Sequence, residues 1–151
     1  MIKRKVNSFN YAYFLVFLQY SSLLLVLFSG ALIVKNPYLL LFQIFGGVLG
    51  VWAVVVMRPG RFNISSNVKK GALLVTSGPY RLIRHPMYTS ILLFTIPQMI
   101  DGFSVARMLF FLILLLSLLL KILFEEKLLS NEFKGYTDYA KTTKRVIPFI
   151  W

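Results

Sequence analysis

Residues 104–126, SVARMLFFLILLLSLLLKILFEE, contain a run from Leu112 to Leu120 whose one polar member is Ser117. At about 1.5 Å per residue, the 104–124 part makes about 31 Å of helix, enough to cross a hydrocarbon core roughly 30 Å thick. Its cations, Arg107 and Lys121, fall near its ends, and Glu125-Glu126 follow directly. A helix that is apolar all round needs lipid on its outside. The stretch therefore predicts a membrane-spanning helix, and the fold question becomes how many others accompany it.

Working outward, Asp101-Gly102 is a turn, and 86–100 before it is apolar with Pro97 near the far end. Fifteen residues reach only about 22 Å, so this helix must begin earlier, tilt or stop short. Upstream, 11–34 and 38–57 are uncharged stretches of spanning length separated by the Lys35-Asn36-Pro37 turn. The first follows Lys3, Arg4 and Lys5. It exceeds the roughly 7–15 apolar residues of a cleavable signal core, so it reads as a retained anchor. Gly46 and Gly50 form a small-xxx-small face that lets a neighbouring backbone come close, within the chain or between copies. The expectation is an all-α polytopic membrane protein. It is a single domain over 1–151, with about four transmembrane helices (11–34, 38–57, 86–100, 104–124) in two hairpins. The two substantial polar segments are a loop over 58–85 and a tail over 125–151.

Composition agrees: 58% of residues are hydrophobic and 15% charged, which excludes a large water-soluble catalytic domain. Lys and Arg number 17 against 5 acidic residues, a net charge of +12. Fourteen of the cations flank helix one, lie in the 58–85 loop or lie in the tail, whereas the opposite side holds only Lys35 and Arg107. By the positive-inside rule both termini and the loop face the cytoplasm. The basic surplus is thus a topology signal and an attraction to anionic headgroups, not a nucleic-acid surface. With no Cys and one His, disulfides, thiolate nucleophiles and multi-histidine metal sites are excluded; no metal is expected.

Two places on that face carry chemistry. In Gly78-Pro79-Tyr80-Arg81-Leu82-Ile83-Arg84-His85-Pro86-Met87-Tyr88 a loop becomes a helix. Pro86 suits the first helical position and keeps His85 out of helical geometry. Arg84 and His85 then flank a helix N-terminus, whose free N–H groups and dipole favour a carboxylate or phosphate. The same residues serve equally to grip lipid phosphates and cap the helix. The second place is Lys121…Glu125-Glu126, where two of the five acidic residues sit at the end of a spanning helix, the end the dipole disfavours for anions. Lys121, one turn back, faces Glu125 and leaves Glu126 without an explanation. A hairpin of helices three and four brings Arg84 and His85 near both carboxylates.

GPYRLIRHPMY, a hydrophobic hairpin, EEKLL, then Phe133, Tyr136, Tyr139 and Arg145-Val146-Ile147-Pro148 resemble the isoprenylcysteine carboxyl methyltransferase family; phospholipid N-methyltransferases share the pattern. The resemblance covers about half the chain, from roughly residue 71 onward. It implies a membrane-embedded enzyme that uses S-adenosylmethionine without a Rossmann fold, and no glycine-rich dinucleotide fingerprint occurs here. Carried over by position, it implies a cofactor site from 71–88 and 121–145, with Leu73, Leu74, Val75, Tyr80, Arg84, His85, Pro86, Met87, Tyr88, Glu125 and Glu126 as binding residues. Glu125, Lys121 and Arg145 are the catalytic candidates. The sequence departs from the family at Lys121, where carboxyl-methylating members commonly have Arg, and in a Phe133-to-Tyr136 spacing one residue shorter than usual.

The resemblance further implies a lipophilic or lipidated acceptor entering from the membrane while the polar cofactor enters from the cytoplasm. Methyl transfer needs orientation and desolvation more than catalytic side chains. A carboxylate acceptor would use a cation such as Lys121 or Arg145, and an amine a base such as Glu126. Two other readings use the same residues: an NADPH-dependent steroid-reductase-like enzyme, which also carries Arg-His-Pro but against which the paired Glu argues, and a non-catalytic lipid-binding scaffold.

Overall fold

The computed structural model describes residues 2–57 and 74–148, with 2–9 described by backbone alone. Among these residues the protein is all-helical: α1 (Ile2–Phe28), α2 (Pro37–Met57), α3 (Pro86–Asp101), α4 (Val105–Glu132) and α5 (Tyr136–Thr142), with a 3-10 turn at Gly78–Arg81. Three helical segments, Asn10–Phe28, Pro37–Met57 and Val105–Glu132, are long and apolar enough to cross a membrane. Their outer faces expose large apolar side chains such as Phe17, Val51 and Leu116, as lipid-facing helices do. The protein is a membrane protein.

Local chemistry sets the helix ends. Asn36 Oδ1 accepts from the N–H groups of Tyr38 (2.9 Å) and Leu39 (3.3 Å) and so caps α2. Ser104 Oγ accepts from Arg107 N–H (3.1 Å) at the start of α4. α1 stops at Phe28 and not near residue 34, and the cause is Arg107. This fully buried guanidinium donates to Ser29 Oγ (3.1 Å) and to the carbonyls of Gln98 and Gly102 (both 2.9 Å) and Ala31 (3.5 Å). A Cβ at Gly30 would lie 2.2 Å from Arg107 Nη2, so the chain passes the guanidinium only as glycine. Gln43 and Gln98 both donate to Leu32 O (2.7 and 2.6 Å), and Asp101 accepts from the N–H groups of Lys35 (2.8 Å) and Asn36 (3.2 Å). The α1–α2 connection is thereby knotted to the far ends of α3 and α4.

The helices pack differently from the expected hairpins. α1 lies along α4 and α2 along α3, while α3 and α4, neighbours in sequence, touch only locally. Tyr11 meets Phe124 edge-on (5.4 Å, 71°) at one end of the α1–α4 pair, and Ser29 meets Arg107 at the other, so the two run antiparallel. In the α2–α3 pair a Cβ at Gly46 would lie 2.9 Å from the Phe94 backbone nitrogen. Removing that Cβ is what lets the two backbones meet, because packing and not hydrophobicity drives association inside lipid. The glycine face is therefore used within the chain.

α3 has sixteen residues, about 24 Å. It does not begin earlier than expected: the 3-10 turn and an extended segment precede it. Beside α2, its Ser90 is level with Gly50 and its Leu93 and Phe94 with Gly46, and its Asp101 reaches the loop before α2. α4 instead continues two turns past Phe124 to Glu132.

Candidate active site

The start of α3, the Lys121–Glu126 turn of α4 and the tail meet at one end of the molecule. The tail is joined to the loop by a short parallel bridge at Ile83 and Lys144. Arg84 N–H donates to Lys144 O (2.7 Å), His85 N–H to Arg145 O (2.9 Å) and Lys144 N–H to Leu82 O (3.3 Å). One turn into α3, Thr89 Oγ1 donates to Val146 O (2.8 Å). The donors expected to be free at the N-terminus of α3 are in large part spent, since Tyr88 and Thr89 N–H also turn back to His85 O.

Glu126 has a defined task. Its Oε1 takes Arg84 Nε and its Oε2 takes Arg145 Nε, each at 2.8 Å. Arg84 Nη1 donates onward to the carbonyls of Ala140 (3.0 Å) and Thr143. One carboxylate on α4 thus gathers a guanidinium from the loop and another from the tail, through the charge-assisted bonds that Arg makes best.

Glu125 occupies a different setting. Tyr88 O–H donates to its Oε1 at 2.7 Å, Lys121 Nζ stands 3.8 Å from the same oxygen, and His85 Nδ1 stands 3.7 Å from Oε2. His85 stacks on Tyr88 (5.4 Å, 8° between planes), and Lys121 lies 5.4 Å from the Tyr88 ring centre. His85, Tyr88 and Lys121 are all buried. The Tyr88 contact is the shortest of the three, and the imidazole and ammonium sit at ion-pair distance.

Three buried polar atoms at this end have no hydrogen-bond partner: His85 Nε2, Tyr80 Oη and Tyr136 Oη. Such atoms are rare in native interiors, and their gathering about two carboxylates makes this end the candidate ligand site. Burial pushes the Tyr80 and Tyr136 hydroxyls well above the usual phenol range, with Tyr139 and Glu125 adding to the first and Glu126 to the second. Burial takes Tyr139 to about 12 against the lowering influence of Arg84. All three remain donors at any physiological pH.

Of the residues carried over from the sequence, Tyr80, Arg84, His85, Tyr88, Lys121, Glu125, Glu126 and Arg145 come together here. Pro86 is buried at the first turn of α3, and Met87 packs against the Val26–Leu114–Leu118 core. Leu74 and Val75 are half-buried and lead into the 3-10 turn, while Leu73 lies outside the described residues. Tyr136 and Tyr139 belonged to the tail pattern that carried the resemblance but were given no site role, and Thr143 was not singled out, yet all three frame Arg84. The aromatic spacing of the tail was their one signal. Among the described residues no group of acidic and histidine side chains could hold a metal ion.

Toward mid-membrane from this cluster, a cavity of about 260 Å³ opens between α1, α2 and α3, lined by Leu23, Leu27, Gly47, Gly50, Ile91 and Phe94 among others. Its lining is almost wholly apolar, and Ser90 and Ile91 follow Tyr88 by less than one turn.

A polar, buried, charge-paired cluster thus stands at one end of apolar helices, with an apolar cavity beside it. The sequence comparison is consistent with this: the model of the isoprenylcysteine carboxyl methyltransferase (ICMT) family matches residues 38–131. The match covers more than half of the chain, so the protein belongs to this family of membrane methyltransferases. No curated protein and no solved structure matches it.

Proposed function

We propose that the protein transfers a methyl group from S-adenosylmethionine to a lipophilic acceptor at the cytoplasmic face of the membrane. The observation that carries this reading is the pocket around Glu125, with its buried orphan atoms, in a chain of a methyltransferase family. Those residues suit the cofactor. Glu125 is an acidic group that can face an ammonium or hydroxyl group, His85 Nε2 and Tyr80 Oη are buried hydrogen-bonding atoms, and the rings of Tyr88 and His85 offer π-faces to a cation. When bound, S-adenosylmethionine supplies a methyl group on a positively charged sulfur, which displacement neutralises.

The chain's own residues then supply orientation and exclusion of water. Tyr88 holds Glu125 in place through its hydroxyl. Glu126 ties the tail to the site through its two arginines, and Lys121 is a further buried cation beside Glu125. An anionic acceptor group, a carboxylate above all, would be held by Lys121 as a point charge and not in the bidentate fork of Arg. The acceptor's hydrocarbon chain would lie in the cleft between α1 and α2. Matching levels along α2 support four crossings with both termini cytoplasmic, α3 spanning by virtue of its polar, knotted far end, and the basic flanks set that orientation.

The test is ligand binding by the detergent-purified protein, comparing S-adenosylmethionine, S-adenosylhomocysteine and NADPH by calorimetry, followed by transfer of labelled methyl to a prenylcysteine analogue. Binding of the first two, lost in Glu125→Gln and in His85→Ala, is the expected result. Selective binding of NADPH, or no binding by a folded sample, would remove the reading.

A further inference from the structure

Tyr136, four residues past the end of α4, is 4% exposed and its hydroxyl has no partner. Its ring is fixed edge-on against Tyr139 (6.1 Å, 67°), and it lies within electrostatic reach of Glu126 and Arg84. Tyr139 is already committed, since its hydroxyl donates to Tyr80 O at 2.6 Å. The two neighbouring phenols therefore differ: one ties the tail to the 3-10 turn, and the other holds an unspent O–H beside a guanidinium that is charged at every accessible pH. Glu126 is matched by two guanidinium groups, Arg84 and Arg145, so this cluster keeps an excess of positive charge, and a buried donor beside it suits an anionic oxygen better than an amine. The α3 N-terminus, whose dipole favours the same sign of charge, begins two residues after Arg84.

Resting on the methyltransferase reading above, we propose that Tyr136 is a ligand-binding residue supplied by the tail, donating its O–H beside Arg84 to the carboxylate of the cofactor's amino-acid end. The tail then completes the cofactor site as well as covering it, and Tyr136 joins a site that family spacing alone left uncertain at this position.

The experiment titrates S-adenosylhomocysteine, and separately 5′-methylthioadenosine, which lacks the amino-acid end, into the full-length protein in detergent. Tyr136→Phe is expected to melt nearly like the unmodified protein without ligand, because the O–H hydrogen has no acceptor there. It is expected to bind S-adenosylhomocysteine about tenfold more weakly, the loss of one hydrogen bond to a charged group. Methylthioadenosine binding is expected to be unchanged, which also reports an intact site. Tyr139→Phe is expected to lower the melting temperature instead. Unchanged affinity of Tyr136→Phe for S-adenosylhomocysteine would overturn the proposal, and so would an equal loss for both ligands. Failure of the unmodified protein to bind S-adenosylhomocysteine would overturn the methyltransferase reading itself, and the proposal with it.

Discussion

Replacing Glu126 by Gln removes one negative charge and leaves two guanidinium groups facing a neutral amide. Arg84 and Glu126 are 9% and 14% exposed at their side chains, so their 2.8 Å pair is poorly screened, whereas Arg145 is 32% exposed. Breaking a buried pair by removing one partner costs about 3–5 kcal/mol, and an exposed one about 0–1 kcal/mol. Gln retains one acceptor, so about 3 kcal/mol is expected, nearly all from the Arg84 side. The loss is expected to be local, because the Tyr11–Phe124 contact of α1 with α4 and the Gly46 approach of α2 to α3 do not depend on its charge. Tail docking is what depends on it: Arg84 also holds Ala140 and Thr143, and the Ile83–Lys144 bridge stands beside it. In hydrogen exchange followed by mass spectrometry, the amides of Arg84, His85, Thr143 and Lys144 should exchange about 100-fold faster, since about 1.4 kcal/mol is a factor of ten. Those in the middle of α2 should keep their rates. Unchanged tail exchange, or equal acceleration throughout the chain, would refute the idea that this carboxylate is the tail's anchor.

Gly46→Leu should drive α2 away from α3, costing about 1–3 kcal/mol by overpacking, and is checked by thermal melting in detergent; Gly47→Leu, where a Cβ meets nothing within 4 Å, should melt normally but fill the apolar cleft and raise KM for long-chain acceptors. Arg107→Met strips the bonds to Ser29, Ala31, Gln98 and Gly102 and should lower stability by about 3 kcal/mol, measured by unfolding in mixed micelles. Alkali should loosen the tail. The fold raises Tyr139 from 10 to about 12, so it favours the neutral phenol, and that stabilisation is complete below pH 10 and disappears as pH rises through 12. Phenolate absorbance and tail exchange should change together in that window and not below it.

Much of this was legible in the sequence because lipid imposes simple rules. The run over 104–124, the Lys35-Asn36-Pro37 turn and Pro86 as the first helical residue each follow from length, turn chemistry and proline's missing N–H, and each appears in the structure. The clustering of Arg84 and His85 with Glu125 and Glu126 was also readable, although by a different route from the one expected. Short turns suggested that consecutive helices pack together, but which helix lies against which depends on surfaces. Gly46 and Gly50 match the relief of α3, and Arg107 matches the carbonyls at the ends of α1 and α3. Nothing in its spacing distinguishes a buried Arg107 from one reaching for headgroups. Tyr136 and Thr143 were hidden for the same reason: their burial comes from a bridge between segments some sixty residues apart.

Because α3 and α4 touch only locally, helix packing does not by itself hold His85 against Glu125. The polar contacts do so. Glu126 ties α4 to Arg84, Arg84 ties the loop to the tail, and Thr89 ties α3 to Val146. This arrangement suits the proposed site, which would admit a polar ligand from one side and a lipid from another. Rigid packing of α3 on α4 would occupy the space the ligands need, whereas a tail fastened by a few charge-assisted bonds can close a site without filling it. It also explains why two acidic residues persist at a helix end where the dipole disfavours them. Glu125 is held by Tyr88 with His85 and Lys121 close by, and Glu126 offsets that cost with two guanidinium partners.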